Sequence, residues 1–298
     1  MNQREEKTMV ENLWSDDKVR KIYVLFPEGK RKAFTLSYDD GCTCDVRLVE
    51  MMRKYGVKGT FNINSGRWAE TSEMEKKPWG QLTKSECLEL YGDDMEVAIH
   101  GVSHPYWNIR PTAQAMLDIL EDRRQLEQAY HRIIRGAAYP YGITSDDVVE
   151  ILRLADIQYC RVGSSTGKLL MKRTIDWLRF EGTCRHRDPR LMEYAEKFLK
   201  PNTSGIRSLF YVFGHSYEFV EDNNWELMET LLQTVSGKED VWYATNIEIV
   251  EYCKAGDRLI FNLDDTVCRN PTDIDIWLQV GPDKTVVKVP AGKTITLP

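Results

Sequence analysis

Two neighbouring carboxylates are the first candidates for chemistry in this sequence. Asp39 and Asp40 stand in the stretch "TLSYDDG", directly after an apolar run of strand type and directly before Gly41. Like charges repel each other, and burial adds a desolvation cost that raises the pKa of a carboxyl group. The pair therefore predicts a compensating partner nearby, for which a metal ion, a helix N-terminus and a solvated turn are the alternatives.

Two histidines offer the ligands that such a metal needs. His100 and His104 occur in "VAIHGVSHP", separated by three residues, and Gly101 and Pro105 argue against a helix there. Both imidazoles can converge from a tight turn after a strand. With Asp40 they supply two nitrogens and one oxygen and leave room for water, which is typical of a catalytic zinc site. Zinc is the first choice, and cobalt and nickel accept the same ligands.

Each of these patterns also has an ordinary structural explanation. An isolated Asp-Asp-Gly is most often a turn or a helix cap, because Asp bonds its own backbone and Gly accepts a positive φ. An isolated His-x-x-x-His is most often accidental, and "YPYG" (139–142) alone is a turn. Their occurrence in this order, each at the end of a predicted strand, favours the functional interpretation.

Short apolar runs alternate along the chain with segments of helical period, which predicts parallel strands joined by helices. The predicted strands are residues 32–38, 58–63, 96–100, 136–140, 158–163, 175–180, 208–214 and 240–245. The predicted helices are residues 45–55, 83–91, 111–134, 145–155, 188–199, 222–236 and 246–254. This series predicts a distorted (β/α) barrel of seven or eight parallel strands, with an open doubly wound sheet as the alternative.

In such a barrel, the residues that follow the strands share one mouth. The polar residues at these positions are Asp39, Asp40, His100, His104, Tyr139 to Gly142 and His215. After Gly256, short alternating runs separated by turn signals predict a small antiparallel β appendage. The predicted domains are an N-terminal extension (1–30), the barrel (31–255) and the appendage (256–298).

The composition argues against several classes of protein. The net charge is −6 and acidic and basic residues are interleaved, so we expect no nucleic-acid-binding face. The N-terminal "MNQREEKTMVENLWSDDKVR" lacks an apolar stretch of the length of a signal peptide or membrane helix, which predicts a cytoplasmic protein that does not bind membranes. The 7 cysteines are odd in number and scattered, as expected in a reducing compartment.

The motifs together resemble the polysaccharide deacetylase family, also called carbohydrate esterase family 4 or the nodulation-factor deacetylase homology domain. "LSYDDG" (36–41) resembles the first motif of the family, and "HGVSHP" (100–105) resembles the second. "YPYG" (139–142) resembles the third motif and "YVFGH" (211–215) the fifth. The resemblance covers roughly residues 30–255 and implies a distorted (β/α) barrel that uses a divalent metal to remove acetyl groups from sugars.

The resemblance implies a role for each matched residue. The metal ligands that it implies are Asp40, His100 and His104. It implies that Asp39 is the general base, that His215 is the general acid and that the backbone N–H of Tyr141 helps to hold the oxyanion. The implied substrate is an acetylated saccharide or a related small amide, with N-acetyl preferred over O-acetyl groups.

Two positions depart from the family pattern. Ala138 stands where members often carry an arginine that orients the general base, so another cation, or none, takes that part here. Asp176, in "TIDWLRF", is a weak match to the fourth-motif aspartate that supports the catalytic histidine, and Trp177 beside it is as readily an ordinary core residue.

Further residues near the predicted mouth are candidates for substrate contacts. They are Tyr139 at the end of a predicted strand, Arg185 and His186 in "FEGTCRHRDPR", and Tyr217 beside the predicted acid. A solvated loop around 185–186 and simple packing of Tyr217 are the alternatives. For the whole chain, two other functions stay open: a non-catalytic or regulatory sugar-binding protein on the same fold, and a related barrel amidase that acts on another C–N bond.

Overall fold

The structure is a computed structural model that describes residues 21–172, 174–202 and 205–298. Its strands, in chain order, are β1 Ile22–Leu25, β2 Lys32–Asp39, β3 Gly59–Ile63, β4 Glu96–Ile99, β5 Gly136–Ala138, β6 Tyr159–Ser165, β7 Phe180–Gly182, β8 Cys184–Arg185, β9 Ser208–Gly214, β10 Val241–Tyr243, β11 Ile260–Phe261, β12 Val267–Arg269, β13 Ile276–Val280, β14 Thr285–Val289 and β15 Thr294–Thr296. Its helices are α1 Asp45–Lys54, α2 Lys84–Tyr91, α3 Thr112–Tyr130, α4 Asp146–Leu154, α5 Leu191–Leu199, α6 Glu218–Glu221, α7 Trp225–Val235 and α8 Asn246–Asp257.

The described residues cluster into two compact units. Of the described residues, the larger one draws on 32–172, 174–202 and 207–251, and the smaller one draws on 21–31, 205–206 and 252–298. Strand β1 thus belongs with the C-terminal strands. The domain boundaries predicted at residues 30 and 255 stay a prediction.

The larger unit is built on a sheet of parallel strands in the order β7-β6-β5-β4-β3-β2-β9-β8, with β10 beside the first half of β2. The two end strands are separated only by Thr183, whose backbone N–H donates to Tyr211 O at 2.8 Å. Segment 180–185 therefore pairs with β6 on one side and with β9 on the other, which closes the sheet. The predicted (β/α) barrel is confirmed, and the open-sheet alternative is wrong.

Strand β2 is part of the barrel wall, between β3 and β9, and all eight of its residues are buried. A strand is buried on both faces when side chains fill the barrel on one side and helices cover the other. The run "KAFTLSYD" fits both demands, because apolar residues alternate with the small polar Thr35 and Ser37. Asp39, the last residue of β2, is held at the carboxyl end of the sheet, where β3 and β4 also end.

Two departures from the predicted elements have a local cause. Helix α3 stops at Tyr130 rather than residue 134, because His131 adopts a left-handed conformation with φ 51°. The strand predicted at 175–180 is instead a 3-10 turn over Trp177–Arg179, followed by β7. The Asp176 carboxylate caps that turn by accepting the Leu178 N–H at 3.2 Å, a local hydrogen bond that competes with strand pairing.

Helix α3 fixes the loop that follows β4. The Asp122 carboxylate accepts the backbone N–H groups of His100 and Ser65, both at 2.9 Å. Asp118, one turn earlier, accepts the indole N–H of Trp107 at 2.8 Å. Burial raises the pKa of Asp122 to about 7. The residues around His100 are thus tied to a helix by side chains that are themselves buried.

The smaller unit contains two antiparallel sheets, β1-β13-β14 and β11-β12-β15. The predicted antiparallel strands after residue 256 are confirmed, whereas β1 and the short β12 were missed. Its buried apolar residues include Leu25, Phe26, Ile276, Leu278, Val280 and Val289. All seven cysteines of the chain are free and buried. Within the described residues, no helix has the length and apolarity required to cross a membrane.

Asp122→Ala tests whether α3 holds the loop. The substitution leaves the buried Ser65 N–H without an acceptor and removes one of the two acceptors of His100 N–H. We expect the free energy of unfolding to fall by about 1–3 kcal/mol in urea titrations. Glu121→Ala, on the exposed face of the same helix, should change it by less than about 0.5 kcal/mol. Equal midpoints for the two variants would contradict this role.

Candidate active site

Three side chains meet where β2 and β4 end. One ligand atom from each of Asp40, His100 and His104 lies within 4.8 Å of the other two. The backbone turns sharply there: Asp40 has φ 80° and His104 has φ 58°, both in the left-handed region that residues other than glycine rarely adopt. Such conformations persist only where the surrounding structure imposes them. At Asp40 and His104 they accompany the convergence of these two side chains with His100, and all three are of the types that bind metal ions.

The hydrogen bonds of His100 leave one of its ring nitrogens available to bind a metal. Its Nδ1 lies 2.8 Å from the backbone oxygen of Ala138, and its buried Nε2 has no hydrogen-bond partner among the described residues. A histidine that ligates a metal commonly donates its other ring N–H to a carbonyl in this way. Burial lowers the pKa of His100, so that the ring is neutral and the Nε2 lone pair is free.

His104 completes the set. Its Nε2 lies 3.9 Å from Asp40 Oδ1, and its ring is 4.7 Å from the ring of His100. Burial, followed by the neighbouring His100, lowers the pKa of His104 to about 4. Two neutral imidazoles and one carboxylate are the donor set that zinc, cobalt and nickel accept, so the residues present fit a divalent metal.

Asp39 has a different environment from its neighbour. It is buried, and its Oδ1 accepts an N–H of Asn62 at 2.8 Å. Its Oδ2 is ion-paired with the guanidinium of Arg161. Burial alone would raise the pKa of Asp39, but Arg161, with smaller contributions from His100 and His215, lowers it to about 2. Asp39 is therefore ionised across the physiological range.

Arg161 supplies the cation that the sequence left unassigned. It lies in β6, directly opposite Ala138 of β5 in the sheet register, and is 3% exposed. Ala138, the position without the expected arginine, thus lies next to an arginine on the adjacent strand. A single arginine inside the apolar strand "QYCRVG" is the sequence signal, because a buried charge requires a partner. Which partner it has depends on strand pairing and cannot be read from the local sequence.

His215 follows β9 and faces both carboxylates. Its Nε2 lies 3.8 Å from Asp39 Oδ2 and 3.9 Å from Asp40 Oδ2. On its other side, the backbone N–H donates to Glu218 Oε2 at 3.0 Å, and Nδ1 lies 3.6 Å from Glu218 Oε1. Burial favours the neutral ring, but Glu218, Asp39 and Asp40 outweigh it and raise the pKa of His215.

Glu218 is itself held by arginines. Its Oε1 accepts N–H groups of Arg185 at 2.7 Å and Arg187 at 2.9 Å, and its carboxylate is buried. Burial would raise the pKa of Glu218, but the hydrogen bonds and charges of His215 and Arg185 lower it. The sequence signal is the spacing in "HSYE", since residues three apart meet on one turn of helix.

The sequence comparisons agree with this geometry. Residues 27–160, which carry Asp39, Asp40, His100 and His104, match the sequence profile of the family described as polysaccharide deacetylase. This part of the chain is similar to the polysaccharide deacetylase family. The resemblance seen in the motifs is confirmed. Comparison with curated protein sequences finds no significant match.

Solved structures of low sequence identity share the fold. A probable polysaccharide deacetylase from Pseudomonas aeruginosa PAO1 has a TM-score of 0.56 and 13% identity, covering 76% of this chain and 92% of that one. A putative polysaccharide deacetylase from Mycobacterium smegmatis has a TM-score of 0.55 and 12% identity, covering 80% and 96%.

Asp176 does not occupy the place that the fourth deacetylase motif suggested. Its side chain is half exposed, accepts the Leu178 N–H and pairs with Arg179 at 3.1 Å. The carboxylate that contacts His215 on the side away from Asp39 belongs to Glu218 instead. The structure therefore corrects the sequence prediction: a residue three positions after the histidine stands where a distant aspartate was expected.

Two predicted substrate contacts are also corrected. Tyr139 is fully buried, and its hydroxyl donates to the backbone oxygen of Leu178 at 2.8 Å. His186 is fully buried with its ring 4.2 Å from Phe219, and burial lowers the pKa of His186 to about 4. Neither side chain reaches solvent. Both were assigned to the mouth because they follow strands, yet their side chains point into the packed interior.

The remaining predicted residues lie at the mouth. Tyr141 has φ 60° and is 51% exposed, and its ring stacks on Tyr106 at 3.6 Å and against His104 at 4.4 Å. Tyr217 stacks on Trp79 at 4.5 Å, with its ring 4.9 Å from that of His215. Arg185 is partly exposed beside Glu218. The proposed roles of all these residues stay predictions.

Arg161→Ala tests the buried ion pair. Removing the guanidinium leaves the Asp39 carboxylate buried without its main counter-charge, so we expect a loss of about 3–5 kcal/mol in the free energy of unfolding. The double variant Arg161→Met with Asp39→Asn, which removes both charges, should recover much of that loss. Arg53→Ala, which breaks the exposed pair with Asp94, should cost at most about 1 kcal/mol. Equal costs at Arg161 and Arg53 would overturn this account.

Proposed function

We propose that the protein is a metal-dependent hydrolase that removes acetyl groups, N-acetyl before O-acetyl, from a saccharide or related small substrate. The proposal rests on the meeting of Asp40, His100 and His104 with two further groups, the carboxylate of Asp39 and the imidazole of His215, whose pKa is raised. An acceptor and a donor of protons on either side of one site are what the hydrolysis of an amide requires.

The proposed metal ligands are Asp40, His100 and His104, and zinc is the proposed metal, with cobalt or nickel as alternatives. When bound, such an ion would lower the pKa of a water molecule from about 15.7 toward 7 and polarise the acetyl oxygen. Ala138 O and Asp122 would keep the His100 ring and its backbone in place.

Asp39 is the proposed general base. It is ionised, and Arg161 and Asn62 fix both of its oxygens, so that it can take a proton from the attacking water without turning away. The backbone N–H of Tyr141 is the proposed donor to the oxyanion. A donor of this kind contributes roughly 2.7–4 kcal/mol where it has been removed by mutation.

His215 is the proposed general acid. An amine is too poor a leaving group to depart as an anion, so a proton must reach it as the C–N bond breaks. The carboxylates around His215 raise its pKa and so favour the protonated imidazole; Glu218 lies 3.6 Å from Nδ1, while Nε2 faces Asp39 and Asp40. Intracellular location and the choice of zinc remain predictions from the sequence.

Metal content and turnover test the proposal together. Chelation should abolish acetate release, and added zinc or cobalt should restore it. Asp40→Ala should lose the metal, whereas Asp39→Asn should retain it and lose roughly 10²–10⁴-fold in kcat, the usual contribution of a general base. Asp264→Ala, in another Asp-Asp pair of the chain (264–265), is the control and should change neither.

Several results would count against the proposal. If Asp40→Ala keeps its metal, the ligand assignment is wrong. Metal-loaded protein that releases no acetate from chito-oligosaccharides, acetylated xylan or small acetamides would favour the other two functions. Sugar binding unaffected by Asp39→Asn would then indicate a binding protein, and turnover of ureides or formamides would indicate an amidase.

Glu218→Gln gives a pH-dependent prediction. The pKa of His215 lies above its usual value because Glu218 favours the charged ring, so activity should fall on the alkaline side as His215 loses its proton. Removing the charge of Glu218 should shift that alkaline limb of the kcat profile to lower pH. A limb that does not move, or that moves to higher pH, would contradict the role of Glu218.

A further inference from the structure

Arg67 is a cation at the mouth that the proposed mechanism does not use. It lies in the loop after β3, where the Gly66 N–H donates to Val102 O at 2.9 Å and the Arg67 N–H donates to Asn64 O at 3.1 Å. These bonds fasten the loop to the segment between His100 and His104. The Arg67 guanidinium donates to Asp40 Oδ1 at 3.2 Å, and its side chain is 35% exposed. It is thus both in contact with the site and open to solvent.

The partner of Arg67 is a proposed metal ligand. Asp40 Oδ1 is also the oxygen that lies 3.9 Å from His104 Nε2 and so faces the proposed metal position. A divalent ion there would draw on the same oxygen and would repel the guanidinium. Of the five N–H donors of Arg67, the others have no partner within the part of the chain that the structure describes. The group is therefore available to a ligand beside the acetyl-binding position.

The charges around the mouth favour an anionic ligand. Three carboxylates there are each in direct contact with a guanidinium group. The pairs are Asp39 with Arg161, Asp40 with Arg67, and Glu218 with Arg185. These charges balance each other, so a divalent ion would leave the mouth positive. Arg187 pairs with Glu218 and also with Glu221 and Asp222, which together add one net negative charge, so that the divalent ion still leaves one positive charge in excess. A positive cleft concentrates anionic substrates.

We infer that Arg67 binds an anionic group, a carboxylate or phosphate, on the acetylated substrate, so that the site prefers negatively charged acetylated saccharides to neutral ones. The planar guanidinium matches such groups with two parallel hydrogen bonds. This inference rests on the proposed function, because it names the substrate class of the same site. Arg67 is a specificity-determining residue in this account, and the acetyl group reacts elsewhere.

Matched sugars test the inference in the zinc-loaded protein. The probes are N-acetylglucosamine, its 6-phosphate and N-acetylmuramic acid, which differ in carrying no charge, a phosphate or a carboxylate. We expect kcat/KM for at least one anionic sugar to exceed that for the neutral sugar by about tenfold to a hundredfold. The two anionic arms separate phosphate from carboxylate recognition. A ratio near one in the unmodified protein would overturn the inference.

Variants assign that ratio to Arg67. Arg67→Gln should bring the ratio of anionic to neutral kcat/KM toward one, and Arg67→Lys, which keeps a point charge, should retain part of it. Arg53→Gln, at an exposed arginine–aspartate pair in α1, is the matched control and should preserve the ratio. If Arg67→Gln lowers turnover of all three sugars equally, the residue acts on a step common to them and the inference is wrong.

Two binding measurements do not depend on turnover. Calorimetry of zinc binding should give Arg67→Gln an affinity at least equal to that of the unmodified protein, because a competing cation is gone; weaker zinc binding would show that Arg67 only supports the metal site. Calorimetry of the three sugars should show the same anionic preference. If no sugar is hydrolysed but this preference depends on Arg67, the proposed function fails while the anion site stands.

Discussion

The candidate active site depends on how the end of one barrel strand accommodates two adjacent, largely buried carboxylates. Asp39 and Asp40 follow each other in the chain, yet they have different partners. Asp39 is neutralised from inside the barrel by Arg161 and fixed by Asn62. Asp40 turns outward through a left-handed backbone conformation toward the two histidines and Arg67. Because each carboxylate has its own cationic partner, the two residues can have different chemical tasks.

The barrel supplies this compensation through strand register. Asn62 lies opposite Asp39 in the pairing of β2 with β3, and Arg161 lies opposite Ala138 in the pairing of β5 with β6. His100 is fixed by the carbonyl of the same Ala138 and by a carboxylate of α3. Closure of the sheet by segment 180–185 places Arg185 beside β9, within reach of Glu218. A shift of one residue in any of these pairings would turn the compensating side chain to the other face.

The sequence predicted what depends on local pattern. The strand ends that carry Asp40, His100 and His104 could be located because each lies just after an apolar run, and their residue types limit the chemistry. Arg161 and Glu218 were not assigned, because their partners are set by long-range pairing and by a turn that forms only after β9. Tyr139 and His186 were misplaced for a related reason: near a strand end, one residue decides whether a side chain faces the mouth or the core.

The central claim is that Asp40 and Asp39 are not equivalent, one being a metal ligand and the other an ion-paired base. Anomalous diffraction from crystals of the zinc-loaded protein, recorded at the zinc absorption edge, tests it most directly. The account predicts one zinc bound by Asp40, His100 and His104 at about 2.0–2.2 Å, with Arg161 still paired to Asp39. A zinc bridging both carboxylates, or bound without the two histidines, would contradict it.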